Sequence, residues 1–221
     1  ARFDMTKDFV PITDFVHSTI VLVVRASLPV KTLDELIAYA RANPGKLNYG
    51  SPGSGSSLHL IGGSFAKAVG SPMTHIPYKG FAPEMQALIS GELEMGFIGS
   101  GTVLSYVQSG ALRAIAMAEG PVTAGYPPLP DLTKVLPGYD YLPIFSALWA
   151  PAGTPPEIVQ RLNTVMTAAM REPDIRRRFD DIGIEPRGSS VEDTAKAIAA
   201  NVAVATRLVN EAKAAGVKFE D

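Results

Sequence analysis

Three consecutive segments of the chain run from a short apolar strand, through a loop of Gly, Ser or Pro, into a helix. The first is Leu47-Asn48-Tyr49-Gly50 with the loop Ser51-Pro52-Gly53-Ser54-Gly55-Ser56-Ser57, followed by a helical run from Leu58 to Val69. The second is Met73 to Pro77 with Tyr78-Lys79-Gly80, leading to a helix over Pro83–Ile89. The third is Met95 to Ile98 with Gly99-Ser100-Gly101-Thr102, leading to a helix over Val103–Gln108. If these strands are parallel neighbours, all three loops fall at their carboxyl ends, where open α/β sheets bind ligands. Helix N-termini there present free N–H groups and a partial positive charge, which together suit an anion. Glycines let a ligand approach the backbone, and serines add hydroxyl donors. The pattern predicts a small-anion site on an α/β fold.

The flanks repeat the strand–helix alternation. Thr19–Val24 is a β-branched run that reads as a buried strand. Thr32-Leu33-Asp34-Glu35 is a capping box for a helix stopped near Asn43-Pro44-Gly45. Leu112–Met117 reads as another buried strand, Gly120–Gly138 as a Pro/Gly-rich segment with a short helix at Asp131–Val135, and Tyr141–Ala150 as a strand. Thr154 is the expected N-cap of a long helix with Pro155 near N1 and an apolar face of Ile158, Leu162, Val165, Met166 and Ala169. A short basic helix (Asp174–Asp181), an extended piece (Gly183–Arg187) and a helix capped at Ser189-Ser190 and running to Ala215 complete the chain. This helix-rich tail reads as the coat of a sheet whose other strands come from elsewhere.

Composition narrows the function. With 20 basic and 22 acidic residues, no bulk charge pulls the chain toward nucleic acid or anionic membrane. Zero cysteines exclude disulfides, thiolate metal sites and a Cys nucleophile. No apolar stretch reaches the roughly 18–20 residues of a membrane span, and Ala1-Arg2-Phe3-Asp4 does not open as a secretory leader does. Gly53-Ser54-Gly55-Ser56-Ser57-Leu58 begins like a dinucleotide fingerprint, but Leu58 stands at the third glycine and His75–Tyr78 where the ribose-binding acid is needed. No Walker pattern and no Gly-x-Ser-x-Gly elbow occurs. A Ser–His–acid arrangement through His59 has nothing to orient it.

The three histidines, His17, His59 and His75, lack metal-ligand spacing. His59, on the first turn of its helix, either faces a ligand or packs against a loop. His75, inside a strand, reads as structural. Lys79 is the one cation within the three loops: a solvated lysine or an anion contact. Arg176-Arg177-Arg178 reads as a solvated helix face and Trp149 as a core or hinge residue.

Several runs, in order along nearly the whole chain, resemble the Bug family of periplasmic solute receptors of tripartite tricarboxylate transporters. They are Lys7-Asp8-Phe9-Val10-Pro11-Ile12-Thr13, Pro44-Gly45-Lys46-Leu47-Asn48-Tyr49-Gly50-Ser51 with Gly53-x-Gly55-x-Ser57-x-His59, and His75-Ile76-Pro77-Tyr78-Lys79-Gly80. Gly110-x-Leu112-Arg113-Ala114, Ala150-Pro151-Ala152-Gly153-Thr154-Pro155 and the Leu162-Asn163 helix follow. The resemblance implies a type II periplasmic-binding-protein-like α/β fold, in which two lobes close on a carboxylate. It further implies that the family's N-terminal portion is lacking. Residues 19–139 would then be a complete lobe 2, with 1–18 and 140–221 the remnant of lobe 1 and exposed apolar faces on that tail.

Carried over by position, the resemblance implies a site of Ser51, Gly53, Ser54, Gly55, Ser56, Ser57 and His59, walled by Tyr78, Lys79 and Gly80, with Gly99 and Ser100 from the third loop. Many relatives read Phe-Asp-Asn where this chain has Phe97-Ile98-Gly99, so a partner for a ligand amine is missing and a non-amino carboxylic acid is expected. The expected protein is a non-catalytic periplasmic receptor without metal or organic cofactor. Its partners would be a small organic carboxylate and membrane transporter subunits, with no nucleic acid, and a homodimer or swapped assembly would cover its exposed faces. The alternative is an α/β enzyme, a serine hydrolase or phosphate-handling transferase, using the same loops.

Overall fold

The computed structural model describes residues 4–120, 125–180 and 184–214. In chain order the elements are β1 (Phe9–Ser18), β2 (Ile20–Arg25), α1 (Leu33–Ala42), β3 (Asn48–Ser51), α2 (Ser57–Val69), β4 (Thr74–Pro77), α3 (Phe81–Ser90) and β5 (Met95–Gly99). There follow α4 (Ser100–Gln108), β6 (Leu112–Met117), α5 (Leu132–Val135), β7 (Phe145–Pro151), α6 (Pro156–Arg171), α7 (Pro173–Asp180), β8 (Ile184–Pro186) and α8 (Val191–Ala214). They form two compact units, Thr19–Leu142 with Val204–Asp221, and Ala1–Ser18 with Pro143–Ala203. The 121–124 part of the Gly120–Gly138 segment, the 181–183 end of the Asp174–Asp181 and Gly183–Arg187 expectations, and Ala215 lie outside the described residues.

The first of these units is built on a five-stranded sheet in the order β4-β3-β5-β2-β6. β3 runs parallel to both β4 and β5, whereas β2 is antiparallel to β5 and β6. Both faces of the sheet are covered, which is why its central strands are apolar at successive positions rather than at alternate ones. On one face Val21, Val23 and Ile98 pack with Met85 and Leu88 of α3 and Val103 of α4. On the other, Phe97 meets Phe65 of α2 edge-on, with ring centres 5.7 Å apart.

The other unit is a three-stranded antiparallel sheet, β7-β1-β8, with β1 in the centre. Its apolar cluster is Ile12, Ala150 and Val159, with α6 laid against β1. Two features of the sequence reading change here. The face of α6 turned inward carries Val159, Asn163 and Met170, whereas the expected core residues Ile158, Leu162 and Val165 are exposed. The reason is polar: Asn163 Nδ2 donates to the Ile12 and Ser189 carbonyls, each at 2.7 Å, and those buried acceptors set the rotation of the helix. The N-cap is also Pro155, not Thr154, and has no side-chain cap bond. Pro156 fixes φ at N1 and holds Pro155 extended.

Elsewhere local chemistry acts nearly as expected. Thr32 caps α1 by accepting the Glu35 N–H at 3.2 Å, although the Glu35 carboxylate reaches the N–H of Lys31 rather than that of the cap residue. The strand expected from Tyr141 starts at Phe145. Pro143 has no N–H to offer a ladder, and its carbonyl accepts from Asn201 Nδ2 at 2.8 Å.

Candidate ligand-binding site

The parallel order β4-β3-β5 places the three Gly/Ser/Pro loops on one edge of the sheet, at the carboxyl ends of their strands. The Ser51–Ser57 loop has the most defined shape. The buried Ser51 hydroxyl donates to the Gly53 carbonyl at 2.8 Å and accepts the Gly53 N–H at 3.3 Å, closing a tight turn. Gly55 follows with φ +76°, in the left-handed region that favours glycine. Ser56 is the N-cap of α2, and its hydroxyl accepts the His59 N–H at 3.2 Å. Ser57 and Leu58 occupy the first two positions of the helix, where geometry leaves backbone N–H groups without intrahelical acceptors. A Cβ built on Gly53 would meet nothing within 4 Å, so the loop has open space beside its backbone.

Two histidines support this loop from beneath. Tyr49 on β3 is in register with His75 on β4, so both side chains leave the same face of the sheet. The His75 and His59 rings stack with centres 3.6 Å apart and 6° between planes. His75 Nε2 lies 2.7 Å from Ser51 Oγ. The Gly55 N–H donates to His59 Nδ1 at 3.0 Å. Tyr49 packs 5.1 Å from His75, and its hydroxyl donates to the His59 carbonyl at 3.3 Å. Gly62 makes room for the Tyr49 ring, since a Cβ there would come within 2.3 Å of it. Burial lowers both imidazole pKa values, that of His75 to about 4 with the neighbouring His59 adding to the effect.

A Ser–His contact of 2.7 Å is within nucleophile–base distance. Here it does other work. Ser51 is fully buried, its hydroxyl also lies 2.8 Å from the Gly53 carbonyl, and the group stacked on His75 is a second imidazole rather than an orienting carboxylate.

Tyr78 and Gly80 are tied to the same loop. The Tyr78 N–H donates to the Ser51 carbonyl at 2.9 Å, and the Gly80 N–H to the Pro52 carbonyl at 3.1 Å. The Tyr78 ring packs on the α3 side of the core, Gly80 (φ +102°) starts α3, and Lys79 is exposed. Gly99 and Ser100 sit at the same sheet edge, where β5 passes into α4. Ser100 is fully buried with its N–H donating to the Thr19 carbonyl at 2.8 Å.

Beneath the same loops, on the opposite face, lies a residue that the sequence reading missed. Glu84 in the first turn of α3 is fully buried, and neither carboxyl oxygen has a hydrogen-bond partner. It occupies the space above Gly50 and Gly96, which face each other in register on β3 and β5. Burial pushes its pKa up to about 8, so it is largely the neutral acid at pH 7. The available signal is a pair of glycines on apolar strands together with one acid in an apolar helix. Among the described residues, no group of three His, Asp or Glu side chains could hold a metal ion.

Residues 1–213 match the sequence profile of TctC, the tripartite tricarboxylate transporter family receptor. The chain belongs to this receptor family. It is 39% identical over 185 residues to a Cupriavidus necator protein encoded in the gbd 5′ region, a match covering 84% of this chain and 56% of that one. An R. palustris protein solved with adipate superposes with a TM-score of 0.84 at 32% identity, covering 97% of this chain and 71% of that one. The periplasmic binding protein BugD gives 0.77 at 26% identity, covering 96% and 71%. The chain therefore spans just over half the length of most of the curated relatives it matches, and about 70% of the solved receptors. The type II periplasmic-binding-protein-like α/β fold expected from the sequence is the fold of these receptors. The Ser51–Ser57 loop therefore has a turn closed by its own hydrogen bonds and open space beside Gly53.

Proposed function

We propose that this chain is the ligand-binding portion of an extracytoplasmic receptor that captures a small organic carboxylate and delivers it to the membrane subunits of a tripartite tricarboxylate transporter. The observation that carries this is the Ser51–Ser57 loop, which heads α2 with uncommitted helix N-terminal amides beside the open space at Gly53. Neutral dipoles and bridging waters hold a carboxylate reversibly, as a receptor that must release its cargo requires. Membership of the receptor family and the adipate-bound R. palustris neighbour support the same class of ligand and a periplasmic location. No helix among the described residues is long and apolar enough to cross a membrane. Ser51, Gly53, Gly55 and Ser56 shape the loop, their N–H groups and hydroxyls being engaged within it, while Ser54 and Ser57 supply its donors. Tyr78, Lys79 and Gly80 form a wall, with Gly99 and Ser100 at the margin. His59 supports the loop from below. In this reading 19–139 is one lobe of a clamp and 1–18 with 140–221 the remnant of the other, except that the end of α8 from Val204 groups with the first unit. No metal or organic cofactor takes part, and the partners are the carboxylate, the transporter subunits and a second copy of the chain on its exposed apolar face.

The test is a titration of the chain with adipate and a panel of other di- and tricarboxylates and acidic amino acids, followed through the amide resonances of Gly53, Ser54 and Ser57. Saturable shifts with a carboxylate that lacks an amine, centred on those amides, are expected. Binding that leaves these amides unmoved, or no binding across the panel, overturns the proposal. Turnover of simple esters or nucleotides would return the enzyme alternative.

A further inference from the structure

We infer that His59 and His75, stacked as two neutral imidazoles, are the positioning residues that hold the Ser51–Ser57 loop in its anion-accepting shape, and that a proton taken up by the pair releases the loop. The inference rests on the carboxylate-receptor function proposed above for its consequence, and on the geometry of the loop for its mechanism.

The hydrogen-bond inventory fixes the role of one ring nitrogen. The Ser51 hydroxyl has one proton and two lone pairs. It lies 2.8 Å from the Gly53 carbonyl, accepts the Gly53 N–H and is 2.7 Å from His75 Nε2, so the His75 ring holds it whichever of the two atoms carries the shared proton. His59 Nδ1 accepts the Gly55 N–H and is therefore unprotonated. The two rings thus anchor both ends of the turn, His75 at Ser51 and His59 at Gly55, and the stack couples them.

Adding a proton to this arrangement has a specific consequence. On His59 Nδ1 it would face the Gly55 N–H at 3.0 Å, two donors with no acceptor between them. The new charge would lie against a parallel ring 3.6 Å away, in the third position of α2, where the helix dipole also disfavours a cation. Among the described residues, the titratable groups near the pair include Tyr49 from β3, hydrogen-bonded to the His59 carbonyl, and Lys67 of α2, ion-paired at 2.9 Å with Glu211 of α8. Tyr49 is neutral at pH 7, and the Glu211 carboxylate is engaged by Lys67. Burial lowers both imidazoles, and the neighbouring His59 adds to the effect on His75, which is pushed down to about 4, so both are neutral at pH 7. Acidification therefore breaks the Gly55 bond before it threatens the strands, and the affinity of the loop for a carboxylate falls with it.

The test begins with the ligand-free chain, following imidazole and amide nitrogen resonances from pH 7.5 to 4. The Gly55 amide and His59 Nδ1 should titrate with one midpoint while the Arg113 and Ala114 amides on β6 stay in place. A Gly55 amide that does not move as His59 titrates overturns the inference. His59→Phe keeps a stacked ring without the acceptor, and its Gly55 resonance at pH 7.5 should match that of wild type in acid. His59→Asn places an amide oxygen where Nδ1 was, so its Gly55 amide should stay near the wild-type position and cease to titrate. An Asn variant that titrates with the wild-type midpoint also overturns the inference. Adipate affinity is then compared at pH 7.5 and 5.0, a ratio in which protonation of adipate cancels between proteins. Wild type should lose about tenfold more affinity than His59→Asn. If both lose equally, the positioning role fails and the receptor function stands. If the Gly55 titration behaves as expected but no carboxylate binds at pH 7.5, the receptor function fails and the positioning role stands.

Discussion

Gly53 and Gly55 are two residues apart in one loop and differ in what they tolerate. Gly53 is flanked by open space and has an ordinary backbone conformation, whereas Gly55 has φ +76°. An aspartate at Gly53 therefore adds a negative charge to the proposed anion site with little strain. Gly53→Asp should keep the melting temperature within a degree or two and abolish carboxylate binding in calorimetry. Gly55→Ala should instead lose about 1 kcal/mol of stability in urea unfolding, because a side chain is forced into the left-handed region. Glu84 behaves differently, because its cost depends on pH. Its folded pKa of about 8 lies above the ordinary 4.5, so the fold binds this proton more tightly than the unfolded chain does. Below pH 4.5 both states hold the proton and nothing is lost. Stability then falls as pH rises through 4.5 to 8 and levels off above. Urea midpoints at pH 5 and pH 9 should differ for wild type and converge in Glu84→Gln, which cannot ionise. A difference that survives the substitution would place the pH dependence on another group.

At the scale of elements, α6 shows how a single polar residue sets the packing of a helix. Asn163 donates to two carbonyls, so Asn163→Leu removes its bond to the buried Ile12 oxygen, while the Ser189 oxygen keeps the Thr13 hydroxyl. That substitution should cost about 1–3 kcal/mol in urea unfolding, despite adding an apolar side chain to the core. The same residue explains what could be read from the sequence here. The three strand–loop–helix units were legible because turn chemistry, caps and strand composition are local properties, as at Ser56 heading α2 and Thr32 heading α1. The rotation of α6 was not legible, because apolar spacing at Ile158, Leu162 and Val165 fits a helix as well as the true buried set does. Only the acceptors on β1 and at Ser189, distant in sequence, decide between the two faces. The site divides in the same way. Its glycines and serines announce themselves, whereas the His59–His75 stack and the Glu84 pocket depend on the register of β3 against β4 and β5. A histidine inside a strand reads as structural until the residue paired with it is known.

At the scale of the whole molecule, the rotation of α6 has a further effect. Turning Asn163 inward turns Ile158, Leu162 and Val165 outward, and they are 46%, 39% and 58% exposed. They sit at i, i+4 and i+7, so they form one continuous apolar stripe rather than scattered contacts. Isolated surface hydrophobes need no explanation, but a stripe of this kind marks a surface that associates. The relatives that share this fold are longer than this chain, so such a stripe need not be exposed in them. In the 221-residue chain it should drive reversible self-association, seen in sedimentation velocity as a weight-average mass that rises with concentration. Val165→Glu should remove that dependence and leave the urea midpoint nearly unchanged, because an exposed position on a helix contributes at most about 0.5 kcal/mol. A variant that still associates would locate the contact elsewhere. One that loses stability would show that Val165 is covered in solution by the chain's own residues.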